Sequence, residues 1–417
     1  MIRLKLSATI CNEYATRCVF TGDGEWPEVP WDAPHAFSPE ARAFVEEHGY
    51  EPDLAVNRLM RPLAYKTFQF NHQMDGFNPR WYRLLNVVVH FGTAWLLAAL
   101  MLVLGRKLAG YTQPREHVGV LLPNVQALAV TLFGLSAFGR VPALLNFTAG
   151  VKNLRAAGEL AELKTIVTSR RFVDQAKLED ELEALGEGRR VIYLEDVRKE
   201  ITSLDKALGA LSSFAPGLVH RGHSAAPDDA AVILFTSGTE GKPKGVVLSH
   251  ANLVSNARQI FALAAGFLSE RDIVMNPLPA FHSFGLTAGM LMPLLSGMKV
   301  VLYPSPLHYK QVPKLIGETG CTFLFATDTF LQGYARAADP DDLKSVRYVV
   351  AGAERVKPET RRMWEPYGTT ILEGYGCTEC SPVLACNTPV AMREGSVGRL
   401  LPGIEARLEL VEGIHDG

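Results

Sequence analysis

From His117 onward, short apolar runs alternate with longer stretches of helical periodicity, and this alternation constrains the fold more than any other feature. Residues 118–122, 165–168, 190–194, 299–303, 322–325 and 346–350 read as buried strands. Helical patterns lie between them, as at residues 252–265 and 309–319. Such alternation predicts an α/β fold, multilayered, with largely parallel sheets flanked by helices. Residues 285–298 are apolar enough to suggest a membrane segment, but Pro293, the glycines and the following Lys299 favour a core helix feeding a strand. A chain of 417 residues predicts two or three domains, and an apolar share of 47% supplies a large core. A net charge of −2 with no basic cluster argues against nucleic acid as a partner.

One interruption is chemically loaded. Between the apolar runs 230–235 and 246–248 lies Thr236-Ser237-Gly238-Thr239-Glu240-Gly241-Lys242-Pro243-Lys244-Gly245, which predicts strand, loop, strand. Glycines let the backbone approach an anion, and N–H groups, hydroxyls and lysine ammoniums can surround phosphate oxygens. It is not the common P-loop, which needs Gly-x4-Gly-Lys-Ser/Thr opening a helix. Here Pro243 follows Lys242 and a strand-like run follows the loop.

This loop resembles the phosphate-binding signature of the adenylate-forming (AMP-binding) superfamily. Three more segments resemble that family's motifs in its order: Pro279-Ala280-Phe281-His282-Ser283-Phe284-Gly285, Ala351-Gly352-Ala353-Glu354, and Glu373-Gly374-Tyr375-Gly376-Cys377-Thr378-Glu379. Tyr303-Pro304-Ser305-Pro306-Leu307-His308-Tyr309 is similar to the acyl-ACP synthetase half of the bifunctional acyl-ACP synthetase/2-acylglycerophosphoethanolamine acyltransferases. The resemblance covers residues 105–417, the large adenylation domain. The family's next elements, a ribose-binding Asp and a small domain with a catalytic Lys, lie beyond the last residue of this sequence, and without them the resemblance implies impaired catalysis.

Activating a carboxylic acid means replacing oxide, a poor leaving group, by a phosphate ester. Two anions meet in that step, so cations and oriented donors matter more than an acid or base. By resemblance, Thr236, Ser237, Gly238, Thr239, Gly241 and Lys242 wrap the phosphates of ATP. Thr378 reaches the α-phosphate, and Glu379, with Thr236, holds Mg2+, a hard cation suited to such oxygens. Tyr375 stacks near adenine, Gly352, Ala353 and Glu354 offer backbone contacts to it, and Glu373, Gly374 and Gly376 complete the nucleotide set. His282 orients the acid and helps neutralise charge. The implied partners are a fatty acid and the thiol of acyl carrier protein or CoA. The alternative is a catalytically silent, membrane-tethered nucleotide- or acyl-binding module.

Residues 84–104 run without a charge, long enough to cross a hydrocarbon core as a helix. They predict a membrane-associated protein with its adenylation domain facing the cytoplasm; the alternative is a core helix. Residues 1–83 carry no signal-peptide pattern and remain unassigned as a domain. Within residues 57–104, Arg61-Pro62-Leu63, Phe70-Asn71-His72 and Gly76-Phe77-Asn78-Pro79 resemble a segment of multi-pass O-mannosyltransferases. His72 and Asp75 are too close to match the His-x4-Asp of lysophospholipid acyltransferases. Six cysteines suggest no disulfide framework. Cys377 and Cys380 form a C-x-x-C with Cys386 nearby, but no second such pair accompanies them, so reduced thiols in a cytosolic setting are expected.

Overall fold

The computed structural model describes residues 79–217, 223, 225–237 and 243–406, with side chains from residue 91. The expectations placed on residues 1–78, on Gly238, Thr239, Gly241 and Lys242, and on residues 407–417 lie outside this set. The chain divides into two compact units, one ending at Ala94 and one beginning at Trp95. Helix α1 (Pro79–Tyr111) runs from the first into the second.

The second unit holds two sheets. In the first, β1 (His117–Leu121), β2 (Val141–Leu144), β3 (Thr165–Thr168), β4 (Arg190–Tyr193), β5 (Ala230–Ser237) and β6 (Pro243–Ser249) lie in the order β4-β3-β1-β2-β5-β6. All neighbours are parallel except the β5–β6 hairpin. The second sheet has the order β13-β12-β11-β10-β9-β7-β8. Its strands are β7 (Ile273–Asn276), β8 (Lys299–Leu302), β9 (Phe323–Ala326), β10 (Tyr348–Ala351), β11 (Thr370–Gly376), β12 (Val383–Cys386) and β13 (Arg399–Leu400). It is parallel through β11, after which β12 and β13 return antiparallel.

Successive strand residues point to opposite faces, so each sheet feeds two cores. On the first sheet Ile233 and Ile166 pack against α3 (Val151–Leu160), α4 (Arg170–Ala176) and α5 (Glu179–Gly186). Val232 and Leu234 face the other way, toward α1, α2 (Gln126–Ala137) and α8 (His250–Ala264). Helices α6 (Leu194–Glu200) and α7 (Ser203–Ser212) follow β4. On the second sheet Val274 and Phe325 face α8, the π-helix Phe284–Leu291 and α9 (Met292–Leu295). Met275 and Leu324 face α10 (Gln311–Thr319), α11 (Asp328–Ala337) and α12 (Pro358–Trp364). The π-helix is the shared middle layer: Leu286 and Met290 enter one core, Ala288 the other. That is why this segment is apolar on every side.

The uncharged stretch of α1 is divided in its fate. Ala99, Leu102, Val103, Leu104 and Leu108 are buried in the unit that begins at Trp95, while Leu96 and Leu100 are exposed. A Cβ on Gly105 would lie 2.3 Å from Gly134 O, so α1 and α2 touch backbone to backbone there. Buried Arg140 ends α1 by donating to Ala109 O (3.0 Å) and Thr112 O (2.7 Å), carbonyls that a helix C-terminus leaves unpaired. The helix therefore continues past Leu104 to Tyr111, and its last three turns are core. Among the described residues, 91–111 is the one helical stretch long and apolar enough to cross a membrane.

Candidate active site

In open α/β sheets, ligands bind beyond the carboxyl ends of the strands. Here β7, β10 and β11 all end at the same rim, and each runs into one of the chemically loaded loops. The loop of residues 279–285 follows β7; Gly352, Ala353 and Glu354 follow β10; and Glu373 to Gly376 close β11, one register step beside Ala351. Thr378 and Glu379 then form a 3-10 turn, residues 378–380. The hairpin of the first sheet reaches this turn too, since β6 lies against it. Thr236 pairs with Lys244 and Ser237 with Pro243 at the hairpin's end.

The loop beside β7 and the turn after β11 are joined by a hydrogen bond from Ser283 Oγ to Thr378 Oγ1, 3.2 Å. This places His282 next in sequence to a direct contact with Thr378. The His282 ring packs on Phe281 with centroids 4.7 Å apart, and its edge is exposed. Desolvation by that packing pulls its pKa below the ordinary imidazole value. That shift favours the neutral ring, whose nitrogens can orient a carboxylate by hydrogen bonding.

The backbone of the rim is shaped by close approaches. A Cβ on Gly285 would lie 2.3 Å from Pro279 O, and one on Gly376 2.1 Å from Pro382 O. Ala353 adopts φ +69°, the left-handed region that side chains disfavour. Its neighbour Glu354 explains the turn. Burial alone would raise the Glu354 carboxyl, but the Thr329 N–H (2.9 Å) and the Thr327 and Thr329 hydroxyls outweigh it and hold the group below the usual carboxylate range. Gly352 lets the Phe284 ring lie against the backbone, where a Cβ would be 3.2 Å from it.

The side chain of Glu373, which the resemblance places in the nucleotide set, is held inside the protein. Its Oε2 pairs with Arg361 at 2.5 Å and its Oε1 accepts from the Val356 N–H at 3.1 Å. The carboxylate is buried and committed, so Glu373 holds the rim rather than a ligand. Tyr375 is 55% exposed at the same rim, an aromatic face open to a base. Thr236 is half-buried and Ser237 exposed. Glu379 is exposed and, with Asn252, Ser255 and Gln259 of α8, lines a cleft of about 290 Å³. A solvent-facing carboxylate beside a hydroxyl-bearing turn offers the kind of hard oxygen that would suit Mg2+. Burial, the Cys377 thiol and the Glu379 charge push the Cys380 thiol up to about 11.

Two residues pass unassigned in a reading of sequence alone. Ser283 makes the link to Thr378, and its presence inside the His282 motif is the available signal. Lys244 is exposed opposite Thr236, and it is the second lysine of the loop.

The two-sheet fold is that of the large domain of adenylate-forming enzymes: o-succinylbenzoate CoA synthetase from Bacillus subtilis, in complex with AMP, matches with a TM-score of 0.61 at 21% identity, over 76% of this chain and 78% of that one. Anthranilate CoA ligase AuaEII in complex with anthranoyl-AMP matches at 0.60 and 20% identity, over 74% of this chain and 58% of that one. The model of the AMP-binding enzyme family matches residues 98–414, and the chain belongs to that family. It is 26% identical over 398 residues to the acyl-CoA ligase sidI of Beauveria bassiana (strain ARSEF 2860), covering 92% of this chain and 66% of that protein. It is 27% identical over 329 residues to a long-chain-fatty-acid–CoA ligase of Yersinia pestis, covering 72% and 58%. The chain thus spans about two-thirds or less of these curated relatives.

Proposed function

We propose that this chain binds ATP and a carboxylic acid with an apolar body and joins them as acyl-AMP and pyrophosphate, for later transfer of the acyl group to a thiol. The observation that carries this reading is the Ser283–Thr378 hydrogen bond, which ties the loop beside the acid to the turn at the α-phosphate. The acid's carboxylate oxygen attacks the α-phosphorus, and pyrophosphate leaves from the far side. His282 orients the carboxylate; Thr378 and the hairpin donors at Thr236, Ser237 and Lys244 face the developing phosphate charge. Glu379 would hold Mg2+, which would further neutralise the phosphate oxygens when bound. Tyr375 and the backbone of Gly352 and Ala353 receive adenine.

An apolar cleft bordered by Phe267, Phe284, Ala288, Met292, Phe325 and Val350 supports an apolar acid. Its free volume is about 30 Å³, so an acyl body would need lining side chains to move before it could enter. Similarity to long-chain and other acyl-CoA ligases supports a fatty acid. The wording of residues 303–309 favours acyl carrier protein over CoA as the thiol.

ATP–pyrophosphate exchange with a panel of fatty and aromatic acids tests this, beside calorimetric ATP binding in Mg2+. Exchange that depends on the acid supports the reading. Binding without exchange favours the silent module, and the absence of both overturns nucleotide binding altogether.

A further inference from the structure

Cys377 and Cys380 bracket the Thr378 and Glu379 pair that the proposed chemistry depends on. The turn between them is closed by the Cys380 N–H donating to Cys377 O at 3.0 Å. An i to i+3 turn brings its end Cα atoms within about 7 Å, which overlaps the range of about 4.4–6.8 Å that a disulfide spans. The Cys377 thiol lies near enough to help raise the Cys380 thiol above its ordinary value. Both are reachable: Cys380 is exposed and lines the cleft beside α8, and Cys377 is half-buried, whereas Cys321 and Cys386 are buried. Among the described residues no group of three His, Cys, Asp or Glu side chains is placed to hold a metal ion.

We propose that Cys377 and Cys380 are a redox-active dithiol, converted by a low-molecular-weight disulfide such as glutathione disulfide into a disulfide across the Thr378 and Glu379 turn that weakens nucleotide binding. One cysteine sulfur attacks glutathione disulfide, forming a protein–glutathione bond and releasing one glutathione. The second sulfur attacks that bond, forms the Cys377–Cys380 bond and releases the other glutathione. Two electrons pass to glutathione disulfide, and the two thiol protons end on the released glutathiones. The new ring contains only Thr378 and Glu379 between its ends. Drawing the two Cβ atoms to about 3.8 Å therefore loads its strain on those two residues and on the Ser283–Thr378 hydrogen bond. In a reducing compartment such pairs are transient and sensing rather than structural.

The effect on nucleotide rests on the adenylation reading; the dithiol does not. The full chain, reduced and then equilibrated with glutathione disulfide, is quenched in acid and its peptides sequenced by mass spectrometry. The expected result is loss of two hydrogens from the peptide holding Cys377 and Cys380, reversed by dithiothreitol. Cys380→Ser retains glutathione on Cys377 instead. A native chain that stays reduced, or that accumulates only glutathione adducts, overturns the proposal. Calorimetry then compares Mg-ATP binding in the two states, with a loss of about five- to tenfold on oxidation, the equivalent of one hydrogen bond. Equal affinity in both states overturns the regulatory half. A chain that forms the disulfide but binds no nucleotide in either state keeps the dithiol and removes the adenylation reading.

Discussion

The candidate site is assembled from two regions built on different terms. The first sheet contributes a hairpin, β5–β6, whose end residues Thr236 and Lys244 hang from one antiparallel ladder. The second sheet contributes a rim of parallel strand ends, cross-braced by the Glu373–Arg361 pair, by Glu354 with Thr329, and by the close approach of Gly376 to Pro382. The hairpin is held by one antiparallel ladder from Ala230 to Ser237, whereas the rim is pinned at each loop by side-chain and backbone contacts.

Substitutions on both sides test how far that contrast holds. Arg361→Ala should have the largest effect. It leaves the buried Glu373 carboxylate with the Val356 N–H as its remaining donor and should destabilise the fold by about 3 kcal/mol or more. Urea unfolding measures this; partial recovery in the double variant with Glu373→Gln shows that the stranded charge is the cause. Next, Gly376→Ala should cost about 2 kcal/mol by forcing the strand end off Pro382 O. Gly245→Ala in the hairpin makes its nearest contact with Leu160 at 3.4 Å, ordinary packing, and should be neutral or slightly stabilising. Equal losses at the two glycines would erase the distinction.

His282 gives a smaller, pH-dependent signature. Its folded pKa lies below the unfolded value of about 6.5, so on acidification the unfolded chain takes up the proton first. Stability is complete above that value and declines as pH falls through it toward the folded pKa. His282→Gln should flatten the melting-temperature profile in this window. The depressed Glu354 carboxyl acts separately: its contribution is present above the unfolded value of about 4.3 and is lost as pH falls below it. Ala353→Gly relieves the left-handed backbone and adds chain entropy, for a net gain of up to about 1 kcal/mol in a thermal-shift measurement.

Much of the fold was legible because its parallel strands are short runs buried on both faces. The predicted residues 165–168 coincide with β3, and residues 299–303 and 322–325 fall within a residue of β8 and β9. Strand β2 was invisible because Pro142 stands in it. The structure shows why the proline is tolerated. Val141 and Leu145 donate to β1 carbonyls or their flank, so residue 142 would donate toward β5, and the β5 ladder begins only at Ala143. The site was legible as motifs but not as roles: Glu373 looks like its neighbours in sequence, and only Arg361, twelve positions earlier, reveals that its charge is spent inside the protein. The apolar stretch 84–104 could not be apportioned from composition, because a core stripe and a lipid-facing one use the same residues.

The position of the hairpin also sets an order of assembly. β5 joins β2 by pairing Ala143 with Ile233 and Leu144 with Leu234, across roughly 90 intervening residues. β1, β2 and β3 find one another over far shorter separations, whereas β5 and β6 can close on each other as a local unit within microseconds. The hairpin is therefore expected to form early by itself yet dock late, and the last strand pairing of the first sheet would be the one that brings Thr236 and Lys244 to the rim. Binding competence would then arrive as a final step of folding, separable in time from the appearance of secondary structure.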